Sequence, residues 1–185
     1  MNFKELEHLL ASAWSLARES DFIIIGSLAI LGKYPKAPVE LLVSREADIY
    51  PKHHPEGGLL IDRSLGEHST FHETYGYFAH VVAPELATLP DGWEGRLVRL
   101  KTRRTKGATG WCLEPHDLAA SKLIVGRRKD VDFVKQLLSK KMVRLNTLRR
   151  RIKALPVSDA RREECMEQLE GILANIRTSK RRKAT

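Results

Sequence analysis

Residues 22–32 read Phe22-Ile23-Ile24-Ile25-Gly26-Ser27-Leu28-Ala29-Ile30-Leu31-Gly32, and residues 44–49 read Ser44-Arg45-Glu46-Ala47-Asp48-Ile49. The first run opens on four apolar residues, three of them β-branched, and stops at Gly26-Ser27. That is the pattern of a short buried strand with a glycine exit. Leu28 to Gly32 then reads as a short helix closed by glycine. The second run carries two acids at i and i+2, which share a face if the segment is a strand. A glycine after a buried strand lets backbone N–H groups approach a phosphate closely, and a helix starting there adds a favourable dipole. Two carboxylates on one face can grip a hard divalent cation such as Mg²⁺, which takes oxygen ligands and commonly bridges to substrate phosphates. A Gly-Ser pair alone is usually a turn, and an acidic pair alone is usually a solvated face. The full order of strand, Gly-Ser, short helix, loop and acidic pair is much less common. It makes Gly26, Ser27, Glu46 and Asp48 the first candidate site.

Outward from this pair of segments, Leu6, Leu9, Leu10, Ala13 and Trp14 recur at helical spacing, which predicts an amphipathic helix over residues 2–19. Leu41 to Ser44 is expected to open the strand that carries Ala47 to Tyr50. Further strands are expected over residues 76–83 and 96–100, with a hairpin-like turn at Gly107 to Gly110 before Trp111-Cys112-Leu113. From Pro115 the periodicity turns helical, over residues 115–127, 129–139, 145–154 and 159–178. Strands first and helices later predict an α+β fold. The expected organisation is an α/β core over residues 1–114, a helical region over 115–178 and a basic tail over 179–185.

The 185 residues give room for one domain, or for one domain with a helical appendage. No apolar run approaches the roughly 18 residues that span a bilayer, so no membrane partner is expected. The segment after Met1 is of mixed charge, unlike a secretory signal. Cys112 and Cys165 form neither a CxxC nor a metal-ligand pair, as in a cytoplasmic protein with ordinary thiols. The net charge of +9 is unevenly placed. Residues 1–139 hold 18 basic and 18 acidic side chains, whereas residues 140–185 hold 14 and 5. A basic C-terminal region either attracts a phosphate-rich partner or is a solvated helical face.

A second constellation runs from Leu113 to Leu123 and on through Gly126-Arg127-Arg128-Lys129-Asp130-Val131-Asp132. Asp117 is placed to begin a helix, and Lys122 lies within it. A lysine beside a phosphate acts as a point charge on the transferring group, so Lys122, Lys129 and Asp130 become candidates. The ordinary alternative is a helix cap with exposed charge pairs. A third stretch, Gly66 to Glu73, places His68 and His72 four apart. No glutamate stands between them in the HExxH manner and no cysteine converges, which argues against zinc. A polar loop bordering the active cleft is expected there.

The chain resembles the nucleotidyltransferase-like proteins of the DUF6036 type, distant relatives of the AbiEii/MenT-like toxin nucleotidyltransferases and of the polymerase-β-like superfamily. The matching segments are Gly26-Ser27, Ser44 to Asp48, Gly66-Glu67 through His72-Glu73, Leu89 to Trp93, and Asp117-Leu118 through Lys122 to Lys129-Asp130. They cover most of the chain to about residue 155. The resemblance implies a mixed sheet flanked by helices and a Mg²⁺-dependent transfer of NMP from an NTP to an RNA or protein acceptor, in a toxin–antitoxin or defence setting. It implies that Glu46 and Asp48 hold the metal, that Gly26 and Ser27 cradle the triphosphate, and that Lys122 and Lys129 neutralise it. Asp130 would orient Lys129 or a loop. Partners implied are NTP, RNA such as a tRNA through the basic C-terminal region, and a protein from a neighbouring gene. The alternative is a catalytically silent module of the same fold that binds nucleotide or nucleic acid as a partner or antitoxin. The sequence departs from the superfamily pattern in two ways. Gly26 stands further from Glu46 than is usual. The strand where a third acid is often found reads Phe78-Ala79-His80-Val81-Val82, leaving Asp62 and Glu67 to consider.

Overall fold

A computed structural model describes residues 1–183, with side chains through Ser179. The chain divides into two compact units, one of residues 1–87 and 94–114, the other of residues 88–93 with everything from Pro115 onward.

The first unit is built on a five-stranded mixed sheet. Helix α1 (Phe3–Ala17) starts at Asn2, whose side chain accepts from the Glu5 N–H while the Glu5 carboxylate accepts from the Asn2 N–H. This reciprocal cap satisfies two donors that the first helical turn leaves open. Strand β1 (Asp21–Ile24) follows, then a 3-10 turn at Ser27–Ala29 that runs into α2 (Ile30–Lys33). Strand β2 (Glu46–Pro51), helices α3 (Gly58–Leu65) and α4 (Thr70–Tyr75), and strands β3 (Phe78–Val81), β4 (Val98–Leu100) and β5 (Thr109–Cys112) complete the unit. The strand order is β3-β2-β1-β5-β4. The β1–β2 and β4–β5 pairs are antiparallel, and the β1–β5 and β2–β3 pairs are parallel. Leu6, Leu9 and Leu10 from α1, Phe22 and Ile24 from β1, Ile49 from β2 and Ile61 from α3 are fully buried in its core.

Along β2, Ala47, Ile49 and Pro51 are buried, while Glu46, Asp48 and Tyr50 are half-exposed. The period of two therefore puts both acids on one face. The strand does not open at Leu41 as the sequence predicts. Val39–Leu41 forms a 3-10 turn, and the carbonyls of Leu42 and Ser44 accept from the Met1 amine instead of joining a ladder.

The entry to β1 is held by a buried carboxylate. Glu19 accepts from the N–H groups of Asp21 (2.8 Å), His53 (2.7 Å) and His54 (3.0 Å), tying the start of β1 to the loop after β2. Burial pushes its pKa up, but these donors outweigh burial and hold Glu19 below its ordinary value. Because the folded-state pKa is depressed, the stabilisation is complete above the unfolded pKa and is lost as pH falls through the folded one. Glu19→Gln is expected to cost about 1–3 kcal/mol at neutral pH and progressively less on acidification. Urea midpoints at neutral pH and near pH 3 check this; an equal loss at both would refute it.

The second unit is helical among its described residues: α5 (Pro115–Val125), α6 (Arg128–Ser139), α7 (Leu145–Lys153) and α8 (Asp159–Lys183). Leu118, Leu123, Val134, Leu137, Leu148, Ile152 and Leu169 form its core. Arg151 on α7 is held inward. Its Nε lies 2.8 Å from a carboxylate oxygen of the fully buried Asp117. A carboxylate without water needs a countercharge, and Arg151 supplies one. The expected basic tail falls largely outside the described side chains. Among the described residues no helix is long and apolar enough to cross a membrane.

Candidate functional site

The β1–β2 register decides the site. Ile24 stands opposite Ile49, so the chain leaving β1 runs alongside Asp48, and the Ile25 N–H donates to the Asp48 carbonyl at 3.2 Å. Gly26 comes next. A Cβ there would lie 1.7 Å from Asp48 Oδ2 and 2.7 Å from its carboxyl carbon. A side chain there would force the Asp48 carboxylate to move. Gly26 has φ −75° and ψ −171°, which any residue adopts, so the requirement is room and not conformation. The Asp48 carboxylate is thus seated on the glycine's α-carbon, beside the 3-10 turn that Ser27 begins.

The parallel β2–β3 register places His80 directly beside Asp48. His80 Nδ1–H donates to Asp48 Oδ1 at 3.1 Å, with the Asp48 side chain 24% exposed and that of His80 54% exposed. In the place of a third acid, β3 presents this imidazole. Nothing in the sequence of Phe78 to Val82 marks His80, because only strand pairing brings it to Asp48. Asp62 lies on α3 and Glu67 in the turn after it, both exposed. Among the described residues no three His, Cys, Asp or Glu side chains gather into a metal-binding cluster. Glu46 and Asp48 remain as a two-carboxylate, all-oxygen donor set, open to solvent on one face of the sheet. Such a set suits a hard divalent cation that takes its other ligands from water and phosphate.

Gly66 to Glu73 is more ordered than the polar loop expected there. Ser69 caps α4 by accepting from the His72 N–H, and His72 Nδ1 accepts from the His68 N–H at 3.1 Å.

Lys122, Lys129 and Asp130 all belong to the second unit. Asp130, in the first turn of α6, is only 1% exposed. Its carboxylate takes Lys122 Nζ at 3.0 Å on one oxygen and Arg127 Nε at 2.7 Å on the other. The carboxylate thus holds Lys122 and Arg127, the residue just before α6, while Lys129 is exposed on α6. Burial raises the Asp130 pKa, and the hydrogen bonds from Arg127 and Lys122 more than reverse this, leaving it below the usual carboxylate range.

Residues 3–176 match a family model described as a nucleotidyltransferase of unknown function, DUF6036. No curated protein and no solved structure matches the chain.

Proposed function

The chain belongs to the DUF6036 family of nucleotidyltransferases of unknown function, and we propose that Gly26, Ser27, Glu46 and Asp48 form its transfer site. In the proposed reaction an acceptor hydroxyl attacks the α-phosphorus of an NTP. The bond from that phosphorus to the β-phosphate bridging oxygen breaks, pyrophosphate leaves, and the hydroxyl proton passes to solvent or to a base. The observation that carries this reading is the Asp48 carboxylate seated against Gly26, at the start of the 3-10 turn that Ser27 begins.

Glu46 and Asp48 would hold the divalent ion, proposed to be Mg²⁺, which when bound supplies charge neutralisation at the triphosphate. His80, through its bond to Asp48 Oδ1, would hold that carboxylate in one orientation. Gly26 and Ser27 bring backbone close to the phosphates. The protein's contribution is mainly positioning and preorganised charge. Lys122 and Lys129 stay part of the proposal as triphosphate-neutralising charges. Methionine at either position is expected to raise KM for NTP, and an unchanged KM would remove that lysine from the site. The acceptor is proposed to be RNA, such as a tRNA end, or a protein hydroxyl, in a bacterial cytoplasmic toxin–antitoxin or defence pair.

With only two carboxylates in the proposed metal set, a second reading stands beside the first. In it the same fold binds nucleotide or nucleic acid without turnover, as a partner or antitoxin. Incubation with each labelled NTP, Mg²⁺ and total RNA or protein separates the two. Labelled acceptor, lost on chelation and restored by added Mg²⁺, is the result expected of the enzyme. Saturable nucleotide binding with no labelled product under any NTP would establish the silent module instead.

A further inference from the structure

Within the second unit, the end of α6, the α7 helix and α8 border an open cleft of about 710 Å³. Among the described residues it is lined by the exposed cations Lys141, Arg144 and Arg150, by half-buried Leu138, Leu173 and Ile176, and by no acid. These cations differ from their basic neighbours. Arg149 pairs with Glu170 at 2.5 Å, Arg151 with Asp117 at 2.8 Å and Arg162 with Asp159 at 2.6 Å, and Arg161 pairs with Glu164. Among the described residues none of the three cleft cations has a carboxylate partner. The Arg150 guanidinium reaches only a neutral oxygen, Thr147 Oγ1, at 3.4 Å. A concave surface with three uncompensated positive charges selects an anion.

We infer that this cleft binds the phosphate backbone of a single-stranded RNA. Its volume is that of a nucleotide-sized site, far larger than one phosphate needs. Guanidinium forks match phosphate oxygens two at a time. The apolar strip offers a surface to ribose and unpaired bases, which a duplex keeps stacked inside, and the Asn146 amide beside it suits a 2′-hydroxyl. Surrounding sequence extends the same charge, with 14 basic against 5 acidic residues from 140 to 185. An acidic helix from a protein partner fits less well. None of the large exposed hydrophobic residues lies in the cleft, whereas a stable protein interface buries about 800 Å² per partner around an apolar centre.

The inference rests on the transfer reading for its purpose, since an acceptor strand has to be held, but its test needs neither NTP nor metal. Failure of one is therefore distinguishable from failure of the other. Binding of a fluorescein-labelled, unstructured RNA of about twenty nucleotides is followed by anisotropy between about 50 and 200 mM salt. The triple variant K141Q/R144Q/R150Q is expected to lose about 2 from the slope of log affinity against log salt, at roughly 0.7 per phosphate contact. Its affinity should fall at least about tenfold at the lowest salt. The control K36Q/K101Q/R103Q removes the same charge from exposed positions of the first unit and should leave the slope unchanged. Should the cleft triple melt early, the single variant R150Q is expected to lose about 0.7 of slope with the fold intact. Wild-type affinity and slope in the cleft variants would overturn the inference, as would equal losses in the control. Poly-glutamate displacing the RNA at equal charge concentration would reassign the cleft to an acidic protein segment.

Discussion

Gly26→Ala is expected to abolish the proposed nucleotidyl transfer and to weaken the fold. The new methyl carbon would stand 1.7 Å from Asp48 Oδ2 and 3.0 Å from Asp48 Cβ, so either the carboxylate rotates off the glycine or the β1 exit moves. Overpacking of this kind costs about 1–3 kcal/mol. An ångström of displacement at a metal-holding carboxylate is enough to cost orders of magnitude in rate. Asp48→Asn is expected to abolish transfer as well, with a melting temperature near that of the native chain, because a half-exposed carboxylate contributes little stability. The pair can be tested as a cycle. Gly26→Ala combined with Asp48→Ala should recover much of the stability lost in Gly26→Ala alone, since the carboxylate no longer collides, while activity stays absent. Strictly additive stability losses would mean that the steric contact is not what makes glycine necessary. Transfer activity in Gly26→Ala would remove the site.

Asp130→Ala lowers the unfolding free energy by about 3–5 kcal/mol, the usual cost of leaving half of a buried ion pair. The Lys122 side chain is only 15% exposed and would be left with its charge and no countercharge, whereas Arg127, 58% exposed, can return to water. Replacing Lys122 by Met and Asp130 by Leu together is expected to restore most of the loss, because the desolvated charges leave as a pair. The pH dependence has a definite sign. The folded-state pKa of Asp130 is depressed, so its stabilising contribution is full above the unfolded carboxylate pKa and disappears as pH falls through the folded value. Urea titrations of the native chain and Asp130→Ala should therefore converge on acidification. An unchanged midpoint at neutral pH would mean that the pair carries no stability, leaving phosphate chemistry as the reason for Lys122 and Asp130.

Most of the local order is legible in the sequence because it follows from short-range periodicity. The helix over Phe3–Ala17, the strand ending before Gly26 and the four late helices each announce themselves by apolar spacing, caps or glycine stops. Glu46 and Asp48 share a face for the same reason: alternation in a strand is a property of the backbone and needs no partner. What the sequence does not carry is register. That the Asp48 carboxylate takes the space beside the Gly26 α-carbon follows from the antiparallel pairing of β1 with β2, and that His80 adjoins Asp48 follows from the parallel pairing of β2 with β3. The partner of Asp130 is decided in the same way. The resemblance implies that Asp130 orients Lys129 or a loop; its carboxylate takes Arg127, three residues before it, and Lys122, which the packing of α5 on α6 brings within reach. Arg151 reads as one more surface cation until the burial of Asp117 turns it inward. The sequence by itself determined most of the elements, though not α3 and α4, and the residue types proposed to hold a metal and phosphates. Tertiary structure decided which charges distant in sequence face each other, because a desolvated charge takes whichever counterion packing brings within reach.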